Sequence, residues 1–155
     1  MGLVLNVQIS SIIHPFFLYC LPIFGATYEV HLKPLFMLQK KAIRIINGAS
    51  YLQHTDPLFY SSKILKIRDQ YKLSIGTYIY NNPTILHGYQ RTHSHNTRYR
   101  GNLLPPRQNL RSTEQSVIYN AVLLWNSLPV GIRNSENISN SKRCLKNYLL
   151  NSYNH

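Results

Sequence analysis

Acid is what this chain has least of. Five Asp and Glu stand against seventeen Lys and Arg in 155 residues, a net charge of +12 at pH 7. Polymerisation of nucleotides and most nuclease chemistry need carboxylates converging on two metal ions. Glu29, Asp56, Asp69, Glu114 and Glu136 offer no adjacent pair and no two on one helix face. Cysteine is nearly absent too. Cys20 and Cys144 lie far apart and make neither a disulfide framework nor metal-ligand spacing, as fits two idle thiols in a reducing compartment. There is no Gly-rich phosphate loop, nucleophile elbow or Cys–His signature. His93 and His95 would converge only on a strand and lack a third ligand. No catalytic residue, metal, cofactor or small-molecule substrate is expected from the chain itself.

A long clean apolar run is missing as well. Ile9 to Gly25 is rich in Ile, Phe and Leu, but His14, Pro15 and Pro22 interrupt it, and a membrane span needs about 20 apolar residues. No basic segment precedes it and no small-residue cleavage site follows. The expectation is a buried helix or two half-helices over residues 3–24, kinked or broken at Pro15 and Pro22, in an intracellular protein of cytoplasm or nucleus that is not secreted. The Asn137-Ile138-Ser139 sequon then has no role.

What is present is helical periodicity and positive charge. The organising stretch is Leu35 to Asn47. At roughly 100° per residue, Leu35, Leu38, Ala42, Ile45 and Ile46 share one face, with Lys40, Arg44 and Asn47 opposite and Lys41 beside them. Pro34 suits a first turn and Gly48 a C-terminal cap, with 27–34 as connector. A second helix is predicted from about Lys63 to Asn81, with Ile64, Ile67, Tyr71, Ile75 and Tyr78 inward and Lys66, Asp69, Gln70 and Thr77 outward. Between the two, Thr55 or Asp56 with Pro57 is a helix-start signal for a short turn through Tyr60.

From Gln70 to Thr113 there is no acidic residue, and Arg91, Arg98, Arg100, Arg107 and Arg111 recur among His and Tyr. This segment is expected to be mostly irregular, with room for short strands. Arginine with interleaved tyrosine suits phosphates and base stacking. After Glu114, the residues Val117, Ile118, Ala121, Leu124 and Trp125 recur at helical spacing, with Trp125 as a core anchor, until Asn126-Ser127-Leu128-Pro129 stops them. A polar loop over 131–140 and a last helix capped by Asn140 or Ser141 follow, with Leu145, Tyr148 and Leu149 inward and Lys142, Arg143 and Lys146 outward.

Several of these stretches occur in an order that resembles one family. They are Ser11-Ile-Ile-His-Pro-Phe-Phe-Leu-Tyr-Cys-Leu-Pro-Ile-Phe-Gly25, Leu38-Gln-Lys-Lys-Ala-Ile-Arg-Ile-Ile46, His54-Thr-Asp-Pro-Leu-Phe59 with Ile64-Leu-Lys-Ile-Arg-Asp-Gln-Tyr-Lys-Leu73, His95-Asn-Thr-Arg98, and Leu124-Trp-Asn-Ser-Leu-Pro129. Together they resemble the C-terminal end of reverse transcriptases of jockey-like LINE (non-LTR) retrotransposons, over nearly the whole chain. The resemblance implies a polymerase thumb and the tail beyond it, downstream of a palm whose metal-binding aspartates are not in this sequence. Departures fall at Phe24, where the family commonly has Trp, at Ala121, near which it has Gly, and around Ser141, where it often has an aromatic.

The expectation is therefore a mostly α chain: a thumb-like helical bundle over 1–82, a basic irregular linker over 83–113 and a helical tail over 114–155. Its core is expected to include Leu38, Ala42, Ile45, Ile46, Ile64, Ile67, Tyr71, Ile75 and Trp125. Its nucleic-acid contacts are expected at Lys40, Lys41, Arg44, Arg98, Arg100 and Arg107. The partners would be RNA or an RNA/DNA duplex, held with little sequence specificity, and an upstream polymerase palm if the chain is expressed as part of a larger one. Two alternatives stand beside this one: a small membrane-anchored protein with a basic cytoplasmic tail, and a nonfunctional retroelement relic.

Overall fold

Where the chain turns decides which helix faces meet, and two turns of one kind do this work. The structure, a computed structural model, describes residues 15, 21–90, 102–107, 110–133 and 137–153. Its helices are α1 (Leu21–Phe24), α2 (Glu29–Ile46), α3 (Asp56–Ser61), α4 (Ile67–Asn81), α5 (Arg111–Glu114), α6 (Val117–Ser127), α7 (Val130–Arg133) and α8 (Ile138–Asn151), with a 3-10 helix over Pro83–Tyr89. No strand occurs among the described residues. The chain is mostly helical, as its periodicity implies. The helix expected over residues 3–24 lies largely outside the described residues.

Helix α2 ends in a Schellman turn. Gly48 sits at φ +59°, its N–H donates to Ile45 O at 3.2 Å, and the Ala49 N–H donates to Arg44 O at 2.9 Å. These are the two bonds that close the last carbonyls of a helix once one residue turns left-handed. Helix α3 ends the same way without glycine. Lys63 takes φ +53°, its N–H donates to Tyr60 O at 3.0 Å and the Ile64 N–H donates to Phe59 O at 3.1 Å. Lys63, expected to open the second long helix, instead closes the one before it. Residue type gives no sign of this, because lysine does not mark a left-handed position.

Two compact units result, one of Met1–Tyr71 with Lys146–His155 and the other of Lys72–Leu145. In the first, Leu21, Leu32, Ile43, Ile46, Phe59, Leu65, Ile67, Tyr71, Leu149, Leu150 and Tyr153 are buried. The Phe59 ring is flanked by Phe36, stacked at 6.5 Å, and by Tyr153, edge-on at 6.5 Å. The side-chain amide of Gln39 fastens α2 to the start of α4, donating to Leu65 O at 2.8 Å and accepting from Ile67 N–H at 3.0 Å. One of the amides that a helix N-terminus leaves unpaired is thereby satisfied.

This clamp turns α2 on its axis relative to the expected face. Leu38 and Ile45, placed in the core from their spacing, are 56% and 76% exposed, while Ile43 is 2% exposed. Ala42 is half-buried, and only Ile46 of the four core residues expected here is buried. The physical reason is that apolar residues occupy more than half the circumference of α2, so period alone leaves two faces open. Helix α2 also begins earlier than expected, at Glu29, whose carboxylate suits a first turn. Pro34 therefore lies inside the helix rather than in its first turn.

On α4, Ile67, Tyr71 and Ile75 are buried as expected, but Ile64 precedes the helix and is half-buried, and Tyr78 is exposed. Asp69 and Gln70, expected outward, are buried. Asp69 can be buried because the Tyr153 hydroxyl donates to its Oδ2 at 2.6 Å.

In the second unit Leu73, Ile75, Ile79, Leu86, Leu103, Ala121, Val122, Leu124, Leu128 and Leu145 are buried. Trp125 is half-buried rather than central: Val122 takes the core position, and the indole leans on Tyr80 at 6.0 Å. Ile118 and Tyr148 are exposed. The start of the segment expected to be irregular forms the 3-10 helix, and the loop expected over 131–140 contains α7 and the first turn of α8. Asn137 rather than Asn140 or Ser141 opens α8, its Oδ1 accepting from Ser139 N–H at 2.9 Å.

The Trp125-Asn126-Ser127-Leu128-Pro129 stretch has a structural role. Asn126 holds residue 103 by both backbone groups, accepting from Leu103 N–H at 2.8 Å and donating to Leu103 O at 2.9 Å. Arg133 closes the end of α6, donating to Leu128 O at 2.7 Å and Asn126 O at 2.8 Å.

Gly48→Ala lowers stability by about 1 kcal/mol, since alanine resists a left-handed φ, whereas Lys63→Gly raises it by up to about 1 kcal/mol. Urea unfolding of both variants shows opposite shifts in midpoint. Asn126→Ala leaves two backbone groups of Leu103 unpaired and costs about 2 kcal/mol in the same measurement.

Candidate nucleic-acid interface

Helix α2 carries its one acid, Glu29, in the first turn, where it pairs with Arg68. From Val30 to Ile46 the helix has only basic and neutral residues. Advancing roughly 100° per residue, Lys33, Lys40 and Arg44 line one edge and Lys41 lies about a quarter-turn further out. Lys33 and Lys41 are exposed; Lys40 and Arg44 are half-buried. Lys33 was not among the expected contacts, because 27–34 reads as a connector in the sequence.

Two of these cations are positioned by aromatic rings. Lys40 Nζ lies 4.5 Å from the centre of the Phe36 ring, and the Arg44 guanidinium lies 5.8 Å from that of Tyr51. The attraction is between a cation and the negative face of the ring. Arg44 Nε also donates to Gln53 O at 3.0 Å, which fixes the guanidinium against the turn after α2. The two Nη groups point to no hydrogen-bond acceptor among the described residues, so the arm can meet an outside anion.

Of the other expected contacts, Arg107 is exposed and belongs to the second unit. Arg98 and Arg100 lie outside the described residues. Beside the basic edge of α2, the face with Val30, Leu38 and Ile45 is exposed and apolar.

Titratable groups elsewhere in the first unit serve the fold. Lys66 Nζ pairs with Asp56 Oδ2 at 2.8 Å and lies 4.2 Å above the Tyr153 ring. The Lys66 N–H donates to the Tyr153 hydroxyl at 3.1 Å. Burial and then the hydrogen bond to Asp69 push the Tyr153 hydroxyl well above the ordinary tyrosine range. Burial alone pushes Tyr71 up to about 12, and its hydroxyl has no hydrogen-bond partner among the described residues. No group of three or more His, Cys, Asp or Glu among the described residues is placed to hold a metal ion, and none of their helices is long and apolar enough to cross a membrane.

No family model, curated protein or solved structure matches this chain.

Both tyrosines hold their protons more tightly folded than unfolded, so their contribution to stability is complete below the unfolded value of 10. Above it the unfolded chain ionises first, and stability falls as pH rises from 10 towards 12. Tyr71→Phe removes an unpaired buried hydroxyl, raises stability at pH 7 by about 1 kcal/mol and flattens the alkaline fall. Tyr153→Phe acts oppositely at pH 7, losing about 2 kcal/mol with the bond to Asp69. Urea midpoints of both variants across this pH range check the signs.

Proposed function

We propose that this chain is the non-catalytic, C-terminal part of a non-LTR (LINE, jockey-like) retrotransposon reverse transcriptase, and that it grips template–primer nucleic acid through α2. One observation carries this reading: four cations, Lys33, Lys40, Lys41 and Arg44, stand on one helix that bears no carboxylate after its first turn. The ordered motifs described above support the family, and the excess of base over acid supports the partner. Lys33, Lys40, Lys41 and Arg44 meet phosphates and displace condensed counterions. Arg107, Arg98 and Arg100 add to this from the basic middle of the chain. Three of the four cations are lysines, point charges that hold phosphates without fixing a base, so binding is nearly indifferent to sequence. A palm encoded upstream supplies the metal-binding aspartates.

Arm by arm, the grip is electrostatic and therefore countable. Lys33→Gln with Lys41→Gln changes two exposed side chains and leaves Phe36, Gln39 and Tyr51 untouched. In fluorescence anisotropy with a labelled RNA/DNA duplex, the double variant binds more weakly at low salt. Its slope of log affinity against log salt is shallower by roughly 1.4 to 1.8. Binding by the parent chain that ignores salt, or a double variant with the parent's slope, overturns the proposal.

A further inference from the structure

Immediately beyond the basic arc stands Tyr51, an aromatic side chain 74% exposed. Its backbone is held by the Schellman turn, with the Ala49 N–H on Arg44 O at 2.9 Å, and by the Gln53 N–H on Ser50 O at 3.1 Å. The Arg44 Nε bond to Gln53 O, 3.0 Å, ties the far side of this turn back to the helix. The guanidinium lies over the ring, 5.8 Å from its centre, and most of the Tyr51 surface remains open to solvent. An exposed tyrosine on a mobile loop would lose its freedom on binding. This one stands in a turn closed by hydrogen bonds on either side of it, so less backbone freedom is lost.

A ring with a cation over it and most of its surface open, beside a run of phosphate-binding arms, matches the needs of an unpaired strand. Cations track its backbone, and an aromatic face receives a base. A base within a duplex is stacked on its neighbours and cannot reach such a ring without leaving them. We propose that Tyr51 is a base-stacking platform and that the α2 surface takes single-stranded nucleic acid at this end, a refinement that rests on the nucleic-acid reading above. Arg44 acts in two ways there, as a phosphate contact through its Nη groups and as a positioning residue for the ring.

The test compares three labelled probes of equal length: an unstructured oligouridylate, a blunt RNA/DNA duplex and an abasic deoxyribose-phosphate strand. Tyr51→Ala is expected to weaken oligouridylate binding by roughly 5- to 150-fold while leaving the duplex and the abasic strand bound as by the parent chain. Tyr51→Phe keeps the ring and retains oligouridylate binding. An unchanged thermal midpoint in Tyr51→Ala establishes that the fold is intact. Equal binding of oligouridylate by the parent and Tyr51→Ala overturns the stacking platform, as does an equal loss on all three probes. In either case, salt-dependent binding by the parent leaves the wider nucleic-acid reading standing. If the parent binds none of the probes, both proposals fall.

Discussion

With five acids against seventeen Lys and Arg, the chain cannot tie its elements together mainly with ion pairs. Lys66–Asp56 and Arg68–Glu29 are ion pairs of this kind. Neutral side chains do the fastening. Gln39 clamps residues 65 and 67, Asn126 clamps residue 103, Asn47 meets Ser62, and the Tyr80 hydroxyl donates to Ile132 O at 2.6 Å. The bonds of Gln39, Asn126 and Tyr80 satisfy part-buried backbone groups, and leaving such a group unpaired costs more than the bond itself gains. Because neutral groups do this work, Lys40 and Arg44 on α2 carry no carboxylate partner among the described residues.

The helical character of the chain was legible in its sequence because local signals and period agreed there. Asn82-Pro83 and Leu128-Pro129 stop helices where they should, and Gly48 turns left-handed at the end of α2. Which face of a helix goes inward was less legible. Periodicity identifies a face only when apolar residues are confined to it, and α2 has Leu32, Ile43 and Ile46 on one side and Val30, Leu38 and Ile45 on another. The choice between them is made by Gln39, a polar residue whose tertiary bonds period cannot register. Burial of Asp69 was hidden for the same reason, since its partner Tyr153 lies 84 residues away. The basic arc was legible as far as Lys40, Lys41 and Arg44. Lys33 and Tyr51 were missed because both flank the helix as the period delimits it.

The segment around Trp125 shows how a recurrent-looking motif acquires meaning from backbone accounting. A sole tryptophan beside Asn and Pro invites a binding role, yet the adjacent residue is the one that acts. Asn126 supplies a donor and an acceptor to a chain segment with no helix or strand of its own, 102–107. Arg133 then closes carbonyls that the end of α6 leaves open. One arginine of the basic set is thereby committed to the fold, and its charge is not evidence for a ligand. Counting cations overstates an interface unless such structural arginines are removed from it.

A ring and a carboxylate hold a cation in different ways, and the difference matters for this surface. A salt bridge cancels the charge it fixes. A cation over an aromatic face is oriented and partly desolvated, but its full charge still projects outward. Lys40 on Phe36 and Arg44 beside Tyr51 are of the second kind. The contrast with Lys66 is instructive, because it has both a ring, Tyr153, and a carboxylate, Asp56, and belongs to the fold. The same chain thus uses an acid where a lysine must be neutralised and a ring where it must only be aimed. On α2 the outcome is two charges, those of Lys40 and Arg44, oriented over rings and without a carboxylate partner among the described residues; a cation oriented in advance loses less side-chain entropy when it meets an anion.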